Sequence, residues 1–415
     1  MKAFGLVAED EAFSQASTCL NLRVYESIDE LSALREAWDQ LLTEYPYATT
    51  FSTWEWLSSW WGCFGKGRQL LVLALFDSGS LVGLAPLSIY REHVGRFSLR
   101  VLRLMGDGSG DSDNLDLPVK PGSEQAFAEA ILRYLRQEWQ RWDVCLLNTL
   151  QLNSLVADCL KEFLKSSSWT LFEYSSESSA VALPESWDAY TQMLSSEDRK
   201  NLARYTRRLR ARYSTQIYRC LSLDQLPVCM DALMRLHQQR WRSKGTPGTF
   251  SSPERRDFYD RLSRRLLSRG WLELWVLELD GEIAAVQFAF RYGQRVFQLQ
   301  EGYDHKRSSD RPGFVLRAAA LQQLIQEKVR TYDFLGGADP YKSRWGACSG
   351  HYINVHFARP RSYGSALLWV SDGAAKCKRS LRRTLPDPAW RILHLLNLVI
   401  QGKLTRANRS GITHI

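Results

Sequence analysis

Between Trp271 and Gly346 the hydrophobic period of the chain changes twice. Leu272 to Leu279 and Ile283 to Phe290 are short apolar runs of strand length, joined at Asp280 and Gly281, a pair suited to the positive φ of a tight hairpin turn. A second turn at Tyr292 to Gln294 leads into a third run, Val296 to Tyr303. From Phe314 to Val329 the period becomes helical, with Val315, Ala318, Ala319, Leu321, Leu324 and Ile325 on one broad face. Thr331 to Leu335 returns to strand character. The pattern predicts a three-strand meander, a crossover helix and a closing strand. Asp310 is expected to cap the crossover helix and Pro312 to open it, which leaves first-turn amides free to point at an anion such as a phosphate. Any helix start needs such a cap, so these local features alone leave both readings open.

The same order of elements occurs earlier. Asp29 to Leu42 predicts a helix, and Phe51 to Phe64 holds four tryptophans within eight residues at helical intervals. That spacing predicts a bulky buried face, with a carbohydrate-stacking platform as the alternative. Strands are expected at Leu70 to Phe76, Leu81 to Tyr90 and Leu99 to Leu104, then a helix from Glu124 to Trp139 and a strand from Val144 to Asn148. The hairpins LLVLALFDSGSLVGLAPLSIYR and LELWVLELDGEIAAVQFAFRYG match in length and turn position, which points to a degenerate internal duplication of α/β units. The loop from Gly106 to Asp116 carries Asp107, Asp111, Asp113 and Asp116 but lacks the distal glutamate of a calcium loop. It is read as either a substrate-facing loop or a solvated connection.

Ser166 to Ser179 is serine-rich around a strand-like WTLFEY, and the boundary between halves is expected between residues 150 and 190. Glu197 to Arg212 carries seven basic residues among sixteen around a stripe of Leu202, Tyr205 and Leu209. It reads as a solvated face, the entrance of a site for a phosphorylated ligand, or a polyanion contact. Leu226 to Arg242 and Pro253 to Leu267 predict further helices, the first holding His237, which is either structural or a proton carrier.

A chain of 415 residues favours more than one domain, and its 45% apolar content is that of an ordinary globular protein. The eight cysteines lack CxxC spacing and the histidines form no ligand run, so no metal site is expected. No eighteen-residue apolar run predicts a membrane span, and the acidic residues near the N-terminus argue against a signal peptide, so a cytoplasmic location is expected. The formal charge of +9 suits anionic partners without choosing among them.

Several motifs carry a family likeness: RLHQQRW (235–241), GTF (248–250), LDGEIAAVQFAFRYG (279–293), GYD (302–304), RPG (311–313) and DFLGGADPYKSRWG (333–346). On these the chain resembles the GNAT-like acyltransferases associated with bacterial cellulose and exopolysaccharide synthesis, and more distantly the Fem-type aminoacyltransferases of peptidoglycan bridges. The likeness is strongest over residues 195–350. It implies duplicated GNAT-like α/β units, each a mixed sheet with flanking helices, and acetyl-CoA or another acyl-CoA as co-substrate with no metal. The donor phosphates would approach Arg307, Ser308, Ser309, Arg311, Gly313 and Phe314. This segment, KRSSDRPGF, departs from the usual Q/R-x-x-G-x-G/A loop, and only Gly313 matches it.

Joining a thioester to an amine requires alignment, oxyanion stabilisation and loss of a proton. Glu301 and Asp333 are the candidate proton acceptors, Lys342 and Arg344 balance substrate charge, Tyr341 donates to the leaving thiolate, and His237 is a further candidate. The expected acceptor is an amine-bearing small molecule or saccharide-linked substrate, with envelope or polysaccharide-synthesis proteins as partners. Two alternatives stand beside this reading: an aminoacyltransferase fed by charged tRNA, and an inactive interaction protein of a polysaccharide-synthesis assembly. The expected divisions are residues 1–165, a linker and strand at 166–190, a second unit at 191–365, and a basic amphipathic tail at 366–415. That tail, with its apolar run from Ile392 to Ile400, would rest on anionic membrane, dock on a partner or pack internally.

Overall fold

The computed structural model describes residues 3–5, 20–94, 97–243, 245 and 247–384. The apolar run from Ile392 to Ile400 lies outside them. The strands are β1 (Ala3–Gly5), β2 (Leu20–Tyr25), β3 (Arg68–Asp77), β4 (Ser80–Val94), β5 (Phe97–Leu104), β6 (Val144–Leu150), β7 (Thr170–Ala182), β8 (Thr215–Arg219), β9 (Leu272–Leu279), β10 (Glu282–Tyr292), β11 (Arg295–Tyr303), β12 (Thr331–Gly336) and β13 (Cys348–Ala358). They form one thirteen-stranded sheet in the order β1-β2-β3-β4-β5-β6-β13-β7-β12-β11-β10-β9-β8.

That order contains the same unit twice. β2 to β6 and β8 to β12 each run as an antiparallel meander that ends in one parallel pair, β5 with β6 and β11 with β12. Both main hairpins turn on two residues of positive φ, Ser78 and Gly79 in one and Asp280 and Gly281 in the other. This twist matches that of the flanking strands. The fold is thus a pair of tandem GNAT-like α/β units within one mixed sheet flanked by helices.

The units are joined by an exchange of strands. β7 follows the first unit but pairs with β12 of the second, while β13 follows the second and pairs with β6 of the first. β7 and β13 also pair with each other along Thr170 to Ala180. The serine-rich stretch that resembles a linker therefore belongs to a central strand. It pairs with β13 over Thr170–Ala180 and with β12 from Ser178 to Ala182, and this pairing outweighs the weak strand propensity of serine. β2, β8 and the helix Leu155–Ser166 are likewise elements that the hydrophobic pattern did not predict.

Aromatic packing bonds the two units further. In the helix Trp54–Phe64, Trp56 and Trp60 are fully buried. The Trp56 ring meets Phe51 at 4.5 Å, Phe290 at 5.1 Å and Phe258 at 5.4 Å between centroids. The tryptophan-rich face is core, not a sugar platform. The acidic loop is neither solvated nor a calcium loop, because its carboxylates are spent on contacts within the fold. Asp111 accepts from Arg255 Nε (3.0 Å) and the Tyr259 hydroxyl (3.0 Å), Asp113 accepts the Gly336 amide (3.0 Å), and buried Asp116 accepts from Tyr45 and Ser154.

Gly302 on β11 lies directly under the helix Leu226–Ser243. A Cβ there would sit 2.7 Å from the His237 backbone nitrogen and 3.1 Å from the Leu233 carbonyl oxygen, neither of which can turn aside. Gly302→Ala is expected to destabilise the fold by about 1–3 kcal/mol through overpacking. A fall in the urea midpoint at unchanged slope would register it.

Candidate functional site

β11 and β12 pair only over Arg295–Phe297 and Thr331–Asp333 and then part. Two local features turn them away from each other. In β11, Phe288 faces Gln300 and Ala289 faces Gln298, so Leu299 is an extra residue that bulges and bends the strand. In β12, Leu335 adopts a left-handed φ of 61°, and its amide donates to Asp333 Oδ1 at 2.8 Å. A cleft of about 240 Å³ opens beside the parted strands. It is lined by Glu301 and Tyr303 of β11, Ser308 to Arg317 in part, Tyr341, Arg344 and Trp345, with Asp198, Asn201 and Tyr205 of the basic helix and Arg240 at its rim.

One wall is the start of the crossover helix Pro312–Gln326. Pro312 opens it as expected, but its N-cap is Arg311, left-handed at φ 56° and without a side-chain capping bond. Asp310 is not the cap. It is buried and accepts from Arg212 Nη1 (2.6 Å), Arg208 Nε (3.2 Å) and the Tyr213 hydroxyl (3.0 Å), which ties the basic helix Ser196–Arg212 to the loop. Burial would raise the Asp310 carboxyl, but the Arg212 and Tyr213 hydrogen bonds prevail and hold it below its ordinary value. The helix start thus faces the cleft with its positive end uncapped by any side chain.

Glu301 stands at the mouth of the parted strands and accepts from two guanidiniums, Arg240 Nη1 at 3.2 Å and Arg317 Nη2. Arg317 is only 4% exposed. Its guanidinium lies 5.5 Å from the Phe334 ring, 5.5 Å from Tyr341 and 5.4 Å from Trp345, an arrangement favourable to a cation. Partial desolvation pushes the Tyr341 phenol above its ordinary value, against the opposing pull of Arg317, although the residue is 40% exposed; a phenol is protonated at neutral pH in either case.

The structure separates the predicted residues into two groups. Glu301, Tyr341, Ser308, Arg311, Gly313 and Phe314 line the cleft. Asp333, Lys342 and His237 are buried behind it. Asp333 also accepts from Arg295 Nη2 at 3.1 Å, and burial raises its carboxyl although Arg295 opposes this. Lys342 Nζ donates to the carbonyls of Gly336 (2.6 Å) and Gly337 (2.8 Å), pinning the turn after β12, and burial lowers its ammonium. Ser309 is exposed outside the lining. Arg307 faces a neighbouring groove and pairs with Glu282 at 2.7 Å.

Sequence reasoning missed Arg240, Arg317, Asn201 and Tyr205 as cleft residues, whereas Arg344, named with Lys342 for substrate charge, does line the cleft. Arg317 left a signal. It lies three residues after Phe314 and four before Leu321, so an arginine occupies the apolar face of the helix, where charge is costly unless paired.

With this geometry in hand, comparison with known proteins gives the class. Residues 196–343 match the family model described as acetyltransferase (GNAT) domain. This stretch contains β11, β12, the crossover helix and most of the cleft lining, so the chain carries a GNAT acetyltransferase domain and is an enzyme of the acyltransferase class. No curated protein matches the chain in sequence. Among solved structures it is similar to the crystal structure of FemX, at 11% identity over 84% of this chain and 99% of that one, with a TM-score of 0.57. It is also similar to a conserved protein of unknown function from Bacteroides thetaiotaomicron VPI-5482, at 13% identity over 79% and 97%, with a TM-score of 0.51. At such identities the likeness concerns the fold. Among the described residues no helix is long and apolar enough to cross a membrane.

His237 accepts from Trp241 Nε1 at 2.9 Å, and burial, reinforced by Arg240, lowers its imidazole to about 4. The unfolded chain therefore takes up a proton near pH 6.5 that the native state refuses until about pH 4. Stability is present above pH 6.5 and is lost as pH falls through that window, by roughly 3 kcal/mol at most from this one group. In His237→Gln the slope of unfolding free energy against pH between 6.5 and 4 is expected to be shallower than in the parent, as read by urea titrations at each pH.

Proposed function

We propose that this chain is an N-acyltransferase that takes an acyl-coenzyme A thioester and transfers its acyl group to an amine-bearing, saccharide-linked substrate of exopolysaccharide or envelope synthesis. The observation that carries the reading is the cleft at the parting of β11 and β12, inside the stretch that matches an acetyltransferase domain. The motif resemblance described above supplies the substrate class.

The residues around the cleft fit such a donor. The uncapped start of the crossover helix, with Ser308, Arg311 and Gly313, offers amides, a hydroxyl and a guanidinium to phosphate oxygens. Arg344 adds a second guanidinium from the opposite wall. The thioester arm would then enter between the parted strands. As the amine attacks the carbonyl carbon, the C–N bond forms, the C–S bond breaks and the amine gives up a proton. In this reading the Tyr341 phenol, protonated at neutral pH, delivers a proton to the leaving sulfur and regains one from the amine nitrogen, so it ends the step unchanged. Asp333 and Lys342 act from behind by fixing the end of β12 and the turn that presents Tyr341.

A second reading is supported by the basic helix on the cleft rim, which carries Arg199, Lys200, Arg204, Arg207, Arg208, Arg210 and Arg212. That helix suits the phosphates of a charged tRNA as acyl donor, as the Fem-type resemblance implies. Calorimetric titration with acetyl-CoA and with aminoacyl-tRNA separates the two: saturable binding of the thioester is expected, and binding of the tRNA alone would overturn the first reading. Tyr341→Phe is expected to lower kcat about 100-fold or more with little change in KM, measured with a thiol-release assay.

A further inference from the structure

The cleft carries more positive charge than the fold consumes. Four guanidiniums line it, from Arg240, Arg311, Arg317 and Arg344, against the two carboxylates of Asp198 and Glu301. Glu301 already divides its oxygens between Arg240 and Arg317, so this triad keeps one net positive charge. No ion pair to Arg311 or Arg344 occurs among the described residues.

Arg317 is the informative member. It is nine-tenths buried and lines the cleft, and although the buried Tyr332 hydroxyl interacts with its side chain, its Nε–H makes no well-formed hydrogen bond; the buried Nε–H of Arg240 makes none either. Buried donors without acceptors are uncommon because the lost hydration is not replaced. Two of them in one cleft wall, beside a carboxylate that uses only part of each fork, call for a further acceptor. Helix residues one turn on, Ala320 and Leu321, are apolar and buried, so the packing of the helix does not demand an arginine at this position.

We infer that Arg317 and Arg240, held by Glu301, form a seat for a carboxylate carried by one of the substrates. Planar guanidinium forks match a planar carboxylate in two-point geometry. The rings of Phe334, Tyr341 and Trp345 surround the Arg317 guanidinium and hold its fork in place. The inference rests on the acyl-transfer reading and narrows it. Either the transferred acyl group ends in a carboxylate, or the amine acceptor carries one, as an amino acid does. A plain acetyl group would leave the seat unfilled by the donor.

The test uses two ligand series on the full chain, with calorimetry as the readout: acetyl-CoA against succinyl- and glutaryl-CoA, and amino acids against their carboxamides. At least about tenfold tighter binding of the carboxylate-bearing member is expected in one series. The preference should collapse in Arg240→Gln and in Arg317→Lys, which keeps the charge but not the fork. It should persist in Arg210→Gln, a change at an exposed position of the basic helix. Thermal denaturation of each variant verifies that it is folded. Equal binding of both members in both series, or a preference that survives both cleft changes in folded protein, overturns the seat. Failure of every thioester to bind overturns the acyl-CoA reading instead, and a carboxylate preference among the amino acids would then still uphold the seat.

Discussion

The geometry of the site depends on the brief parallel pairing of β11 and β12. Three residue pairs hold the strands together, after which the Leu299 bulge turns one strand and the left-handed Leu335 turns the other. Parting strands expose backbone that a regular sheet would consume, and the fold must line that opening with something other than a strand. The crossover helix, the turn after β12 and the basic helix do so. Because the helix starts on a proline with no side-chain cap, its positive end becomes part of the lining.

The first unit supports this arrangement at a distance. β7 lies against β12 on the side away from the parting, so the short strand is anchored by one full neighbour while its other edge opens. The acidic loop of the first unit reaches across: Asp113 accepts the Gly336 amide, and Asp111 gathers Arg255 and Tyr259. Burial raises the carboxyls of both aspartates, the mark of groups that trade hydration for position. Glu55, buried in the tryptophan-rich helix, joins Arg35 of its own unit to Arg269 of the other. These contacts make the duplicated unit a scaffold for the cleft.

Charge is distributed with the same economy. Asp310, taken from the sequence as a cap, instead pairs with two arginines of the basic helix and draws that helix onto the cleft rim. Glu301 gathers Arg240 from one helix and Arg317 from another, so a single carboxylate fixes two guanidiniums contributed by elements far apart in sequence. The excess charge in the cleft follows from where these helices cross.

Local order was legible in the sequence. The meander, its Asp280–Gly281 turn, the crossover helix opened by Pro312 and the repeated element order follow from periodicity and turn chemistry, which act over a few residues. The motifs around GYD, RPG and YKSRWG marked the stretch that forms the cleft. Glu301, Tyr341, Ser308, Arg311, Gly313 and Phe314 were singled out and line it, whereas Asp333, Lys342 and His237 were singled out for their chemistry and lie buried behind it. Chemical type cannot reveal which way a side chain points once strands bend. The exchange of β7 and β13, the burial of the acidic loop and the meeting of Arg240, Glu301 and Arg317 were decided only by tertiary structure. Each joins residues tens to hundreds of positions apart, where pairing and packing outweigh local propensity.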